Sequence, residues 1–166
     1  DGTFNDITLD VGFDARLYGM GIAVGDYDGD GYVDVFISAY GNNKLLRNIR
    51  GTHFEDVTAD TGVAGANDAW STSAAFFDFD HDEDLDLFVT NYVGWSREID
   101  REVDYRLTGI GRAYGPPTDF SGTHNYLYRN DDGRFVDVTM AAGIAVTQVG
   151  SPLAVGKGLA VLPVDI

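Results

Sequence analysis

With 166 residues, 44% of them hydrophobic and 13% aromatic, the chain has the material for one ordinary domain with a packed core, which excludes the disordered class. Its 27 acidic residues against 11 basic ones give a formal charge of −16, which excludes nucleic acid and anionic membrane surfaces as partners. Cysteine is absent, which removes disulfides, thiolate metal sites and thiol nucleophiles together, and no apolar run approaches the roughly 18 residues of a spanning helix, so no membrane insertion is expected.

Repetition dominates the chain from its start. Phe4-Asn5-Asp6-Ile7-Thr8 returns as Phe54-Glu55-Asp56-Val57-Thr58 and as Phe135-Val136-Asp137-Val138-Thr139, and a glycine follows each copy, at Gly12, Gly62 and Gly143. An apolar run then enters an acidic loop, "GIAVGDYD" from Gly21 and "SAAFFDFD" from Ser73. The third copy, "GLAVLPVD" from Gly158, has Pro163 where the others have Asp26 and Asp78, and the chain ends at Asp165-Ile166 within this third loop equivalent. After the two complete loops stand Val35-Phe36-Ile37 and Leu87-Phe88-Val89, then "NKLLRN" at 43–48 and "NYLYRN" at 125–130. These pieces are short, β-branched or aromatic, and separated by Gly, Asn and Asp. Such a pattern predicts four strands per unit, at about 20–25, 33–39, 43–48 and 52–58 in the first. In the second unit 93–124 is inserted between the second and third strands; it carries Trp95, a charged stretch and Gly115-Pro116-Pro117, and only a turn near 97–107 has helical character.

Units of about 50 residues with four strands each predict an all-β fold, a partial β-propeller of four-stranded antiparallel blades. The chain reads as one repeat region, 1–166, of about two and a half repeats. Repeat 1 covers about 4–51, repeat 2 about 54–133 with its 93–124 insertion, and an incomplete repeat 3 about 135–166. Propellers close with about four to eight blades. The expectation is therefore either a segment of a longer protein or a subunit completed by neighbours, with head-to-tail assembly into a fibre or ring as one alternative function.

Ten of the 27 acidic residues lie in two nine-residue loops, DYDGDGYVD at 26–34 and DFDHDEDLD at 78–86. Carboxylates at alternate positions converge when the backbone curls, and a glycine at position 6 permits the positive φ of that curl. A backbone carbonyl at position 7 and a carboxylate at position 9 complete a cage of hard oxygens, the donor set that Ca²⁺ prefers over Mg²⁺. The expected ligands are Asp26, Asp28, Asp30, the carbonyl of Tyr32 and Asp34 in the first loop. In the second they are Asp78, Asp80, Asp82, the carbonyl of Asp84 and Asp86. An EF-hand would place a bidentate Glu at position 12 between helices; here Ile37 and Val89 stand there in strand-like runs, so the expectation is two calcium-binding hairpin loops.

The loops with their apolar leads resemble the calcium-binding FG-GAP, or VCBS, repeats of integrin-type β-propellers. "NYLYRN", the F-x-D-V-T-x-x-x-G phrase and "YGPPTDFSG" from Tyr114 are similar to the ASPIC/UnbV proteins and the cartilage acidic protein family. The resemblance spans nearly the whole chain and implies a secreted adhesion or scaffold module. Three departures stand out: Glu83 replaces the loop glycine, Tyr114-Gly115-Pro116 lacks the cysteine that the family often has there, and Pro163 removes the first ligand of a third site.

Nothing in the remaining residues argues for catalysis. His53, His81 and His124 have no zinc spacing, and Ser71, Ser73 and Ser121 lack a nucleophile-elbow context. An enzyme using the insertion, with Tyr105 or Arg112, is kept only as an alternative for a larger propeller. The paired Arg47-Asn48 and Arg129-Asn130 are assigned to hydrogen bonds that tie strands or loops. Trp70, Trp95 and Tyr92 are assigned to packing ahead of a carbohydrate platform. The expected function is a non-enzymatic, calcium-binding structural or adhesion module. Its partners are other protein surfaces or further copies of itself, with carbohydrate as a further class. Calcium of modest affinity is held only where the ion is abundant, so the expected location is extracellular or cell surface, with the periplasm as the other compartment.

Overall fold

Each apolar run, its acidic loop and the strand that follows fold as an antiparallel hairpin, and the next two phrases of the repeat extend that hairpin into a sheet. The computed structural model describes residues 2–13 and 16–164; the Asp165-Ile166 end of the third loop equivalent lies outside the described residues. The first sheet contains β1 (Tyr18–Gly25), β2 (Asp34–Tyr40), β3 (Lys44–Ile49) and β4 (His53–Asp56), antiparallel and in sequence order. A single turn, α1 (Thr58–Thr61), leads to β5 (Ser71–Phe77) and β6 (Asp86–Asn91) of the second sheet. The insertion then forms β7 (Val93–Gly94), α2 (Arg97–Val103), a small hairpin of β8 (Arg106–Leu107) and β9 (Gly111–Arg112), a 3-10 turn at Pro117–Asp119, and β10 (Ser121–Gly122), which pairs with β7. Finally β11 (Tyr126–Asp131) and β12 (Arg134–Asp137) complete the second sheet in the order β5-β6-β11-β12.

The F-x-D-V-T phrase owes its recurrence to two side chains. Asp56 Oδ1 accepts from the backbone N–H of Thr58 at 3.1 Å, closing a turn after the fourth strand. The Thr58 hydroxyl then accepts from Leu45 N at 2.9 Å and satisfies a buried donor of β3. Asp137 and Thr139 repeat both bonds, at 2.9 Å within the turn and at 3.0 Å to Leu127 N. At the start of the chain, Asp6 Oδ1 accepts from Thr8 N at 3.0 Å. The glycine four residues on ends the turn in the left-handed region, with φ of +78° at Gly12, +83° at Gly62 and +70° at Gly143. A side chain there meets its own carbonyl, at a cost of roughly 1–2 kcal/mol.

The two sheets stack face to face. Ala23, Phe36 and Leu45 of the first and Ala74, Leu87, Val89 and Tyr128 of the second form one core, closed by Val63 and by Tyr27 against Phe135 at a ring separation of 5.7 Å. β1 and β5 are each interrupted by a bulge at the same place in the repeat, between Gly19 and Gly21 and between Ser71 and Ser73. At the first bulge the backbones nearly touch: a Cβ on Gly21 would lie 2.6 Å from the Thr72 carbonyl oxygen. Across the second sheet's other face runs the 154–160 segment, where Gly158 N donates to Asn91 O at 2.8 Å and its carbonyl accepts from Thr72 Oγ1 at 3.0 Å. The predicted apolar run from Gly158 therefore lies against the second sheet without becoming a strand among the described residues. On the first sheet Ile22 and Val24 are 68% and 62% exposed, whereas their repeat equivalents Ala74 and Phe76 lie under β1.

The Gly21 contact yields a direct test. Gly21→Ala must separate β1 from β5 or distort one of them, with an expected loss of about 1–3 kcal/mol. Urea unfolding should show a lower midpoint at unchanged slope.

Candidate metal centres

Both acidic loops occupy the turn between the first two strands of their sheet, from Gly25 to Asp34 and from Phe77 to Asp86. Their curl is fixed by carboxylates that accept backbone N–H groups. Asp26 accepts from Asp30 N at 3.0 Å and Gly31 N at 2.8 Å, and Asp30 accepts from Tyr32 N at 3.0 Å. In the second loop Asp78 accepts from His81 N at 2.7 Å and Glu83 N at 3.2 Å, and Asp82 accepts from Asp84 N at 3.0 Å. The backbone path is the same although the residues differ. Gly29 and Gly31 have φ of +67° and +88°, while His81 and Glu83 take their places at +63° and +76°. Glu83 thus adopts the strained conformation expected when it replaces glycine.

The curl gathers carboxylates. One oxygen from each of Asp26, Asp28 and Asp34 lies within 4.8 Å of the others, and Asp78, Asp80 and Asp82 form the corresponding group in the second loop. The two triads are not the same positions. Asp30 stands outside the first, 3.4 Å from Arg47, and Asp84 and Asp86 stand outside the second. Tyr32 is 39% exposed with its ring beside Gly51. Position 12 of each loop is buried in a strand, Ile37 in β2 and Val89 in β6.

Position 9 has a second duty. Asp34 is fully buried; one oxygen accepts from Asn48 N at 2.8 Å and the other from Tyr27 N at 3.2 Å. Asp86, equally buried, accepts from Asn130 N at 2.9 Å and Phe79 N at 2.8 Å. Each of these carboxylates therefore joins its loop to the third strand. Burial raises the pKa of both, that of Asp34 to about 6, with the charges of Asp28 and Asp30 adding to the shift. The Asn of the R-N phrase braces the same region. Asn48 Nδ2 donates to Val33 O at 3.0 Å, while Asn130 Nδ2 donates to Leu85 O at 3.1 Å and across the sheet interface to Tyr27 O at 2.7 Å. Asn130 thereby links the two acidic loops.

The arginines diverge. Arg47 Nε lies 2.6 Å from Asp28 Oδ2, a charge contact whose N–H is not aligned as a hydrogen bond. Arg129, its repeat equivalent, is bound instead by Asp131 at 2.7 and 2.9 Å. The second triad consequently has no cation within ion-pair distance among the described residues, and partial desolvation with the neighbouring charges of Asp82 and Asp78 raises the Asp80 pKa against the longer-range pull of Arg129. The donor set fits a divalent cation: three carboxylates within 4.8 Å of one another, no soft ligand, and backbone bonds that preform the loop. Sequence reasoning named every member of both triads but not the structural duty of Asp34 and Asp86.

Residues 26–89, from the first ligand position of loop one to β6, match a family model described as an FG-GAP-like repeat. This is the repeat class of β-propeller-type modules. No curated protein matches the chain. No helix is long and apolar enough to cross a membrane among the described residues.

The buried Asp34 makes the ion-free protein pH-sensitive. The folded state holds its proton up to about pH 6, whereas the unfolded chain releases it near 3.8. Its contribution to stability is therefore greatest below pH 3.8 and is lost as pH rises to about 6. Urea unfolding in chelator should show this decline, and Asp34→Asn should reduce it, leaving the part due to Asp86.

Proposed function

We propose that each acidic loop holds one Ca²⁺ and that the chain is a non-enzymatic, calcium-stabilised β-propeller-type module of the cell exterior, working through contacts with other proteins. The observation that carries this reading is the pair of carboxylate triads at repeat-equivalent turns. Three like charges within 4.8 Å repel by roughly 1–3 kcal/mol per pair, depending on solvent screening. Two independent loops built this way gain most from a cation that bonds hard oxygens flexibly, as Ca²⁺ does; Mg²⁺ requires a stricter octahedron and retains water. The resemblance to FG-GAP repeats and the chain's charge of −16 support an extracellular setting, where calcium is plentiful.

Bound calcium would join residues from the start and the end of each loop, so it would hold the first two strands of each sheet together. At 10- to 100-fold excess over Kd, each site adds about 1.4–2.7 kcal/mol, or roughly 3–10 °C in melting temperature for a chain of this size. Thermal unfolding is expected to move upward by that amount per site between chelator and millimolar Ca²⁺. Asp28→Ala should retain only the second site's part of the shift. Superimposed wild-type curves in the two conditions would sink the proposal.

A further inference from the structure

At the opposite end of the β1–β2 hairpin from the first acidic loop lies a different kind of surface. Tyr18 pairs with Tyr40 at that end, whereas Gly25 pairs with Asp34 at the loop end, a separation of roughly 20 Å along the strands. Tyr40, Trp70 and Trp95 come together there from β2, from the residue before β5 and from the insertion. Their rings meet edge to face, at 5.9 Å between Tyr40 and Trp70, 5.3 Å between Tyr40 and Trp95, and 5.6 Å between the two tryptophans. Mutual packing explains these contacts. It does not explain the open groove of about 530 Å³ beside them, lined also by Tyr18, Arg97 and Glu98.

A groove of this size suits a small molecule, and its walls say which kind. Tyr40, Trp70 and Trp95 are each only partly buried, and partly exposed aromatic rings favour an occupant with a flat apolar face. Arg97 offers a fork of N–H donors and Glu98, next to it, offers acceptors. A quaternary ammonium would fit the rings but would bring positive charge beside the guanidinium of Arg97. An anion would meet Glu98 and a chain of net charge −16. A neutral ring with C–H groups on one face and hydroxyls around its edge meets neither penalty. We infer that this groove binds a neutral saccharide, one ring stacked against Trp95 and its hydroxyls held by Arg97 and Glu98. The site lies apart from the acidic loops and stands or falls independently of calcium.

The chain has two tryptophans, and both line the groove, so their emission reports its occupancy. The test is a fluorescence titration of the whole chain in millimolar Ca²⁺ with cellobiose, N,N′-diacetylchitobiose, lactose and mannobiose, with tetramethylammonium and acetate alongside. At least one disaccharide should shift the emission saturably with Kd on the order of 1 mM. Arg97→Ala and Glu98→Gln, both at exposed positions, should weaken that binding about ten-fold, and Trp95→Ala should abolish it. The inference is overturned if none of the four sugars gives a saturable shift, if tetramethylammonium or acetate saturates below the sugars, or if Arg97→Ala binds the sugar as wild type does.

Discussion

Crowded carboxylates at the ends of two hairpins are the constraint around which the rest of the molecule is arranged. Each triad places three acidic oxygens within 4.8 Å, an arrangement that opposes folding unless the loop is braced or the charge is balanced. The bracing is internal. Backbone N–H groups point at Asp26 and Asp78, while the buried Asp34 and Asp86 join the loops to the third strands through Asn48 N and Asn130 N. Individual hydrogen bonds of this kind contribute about 1 kcal/mol net, more when the acceptor is charged, which is of the same order as the repulsion between one pair of carboxylates. Bracing therefore shapes the loops without neutralising them; Arg47 offsets part of the first loop's charge at Asp28, and a bound divalent cation would supply the rest.

The same logic connects the loops to the stacking of the sheets. Asn130 reaches from the second sheet to Tyr27 O in the first loop at 2.7 Å, so the two loops share one buried polar link beside the hydrophobic core. Gly21 and Thr72 bring the innermost strands into near contact a few residues away. An ordered first loop fixes Tyr27, whose ring packs on Phe135. Local order in the loops is in this way transmitted to the interface between the sheets.

Much of this was legible in the sequence because the repeat states it twice. The strands of the first unit, the hairpin placement of the loops and the positive φ at Glu83 follow from alternation, turn residues and the comparison of two copies. The turn role of the F-x-D-V-T phrase was not, since nothing in a linear pattern says that Thr58 accepts from Leu45, thirteen residues before it. The burial of Asp34 and Asp86 was equally hidden, because an aspartate in an acidic loop reads as another ligand until the third strand closes over it. The divergence of Arg47 from Arg129 did leave a mark. Asp131 stands two residues beyond Arg129 on the same face of the strand, where the first unit has Ile49. The sequence assigns Trp70, Trp95 and Tyr92 to packing, and the two tryptophans meet at 5.6 Å with Tyr92 5.5 Å from Trp70; that Tyr40 joins them has no local signal, because it depends on how the 93–124 insertion returns to the first sheet.

The most direct test of the account is a count of bound ions. Equilibrium dialysis of the chain against Ca²⁺ in the presence of an equal concentration of Mg²⁺ should give two calcium ions per chain, one for each triad. Fewer than two calcium ions per chain at saturation, or displacement of calcium by Mg²⁺ at parity, would contradict it.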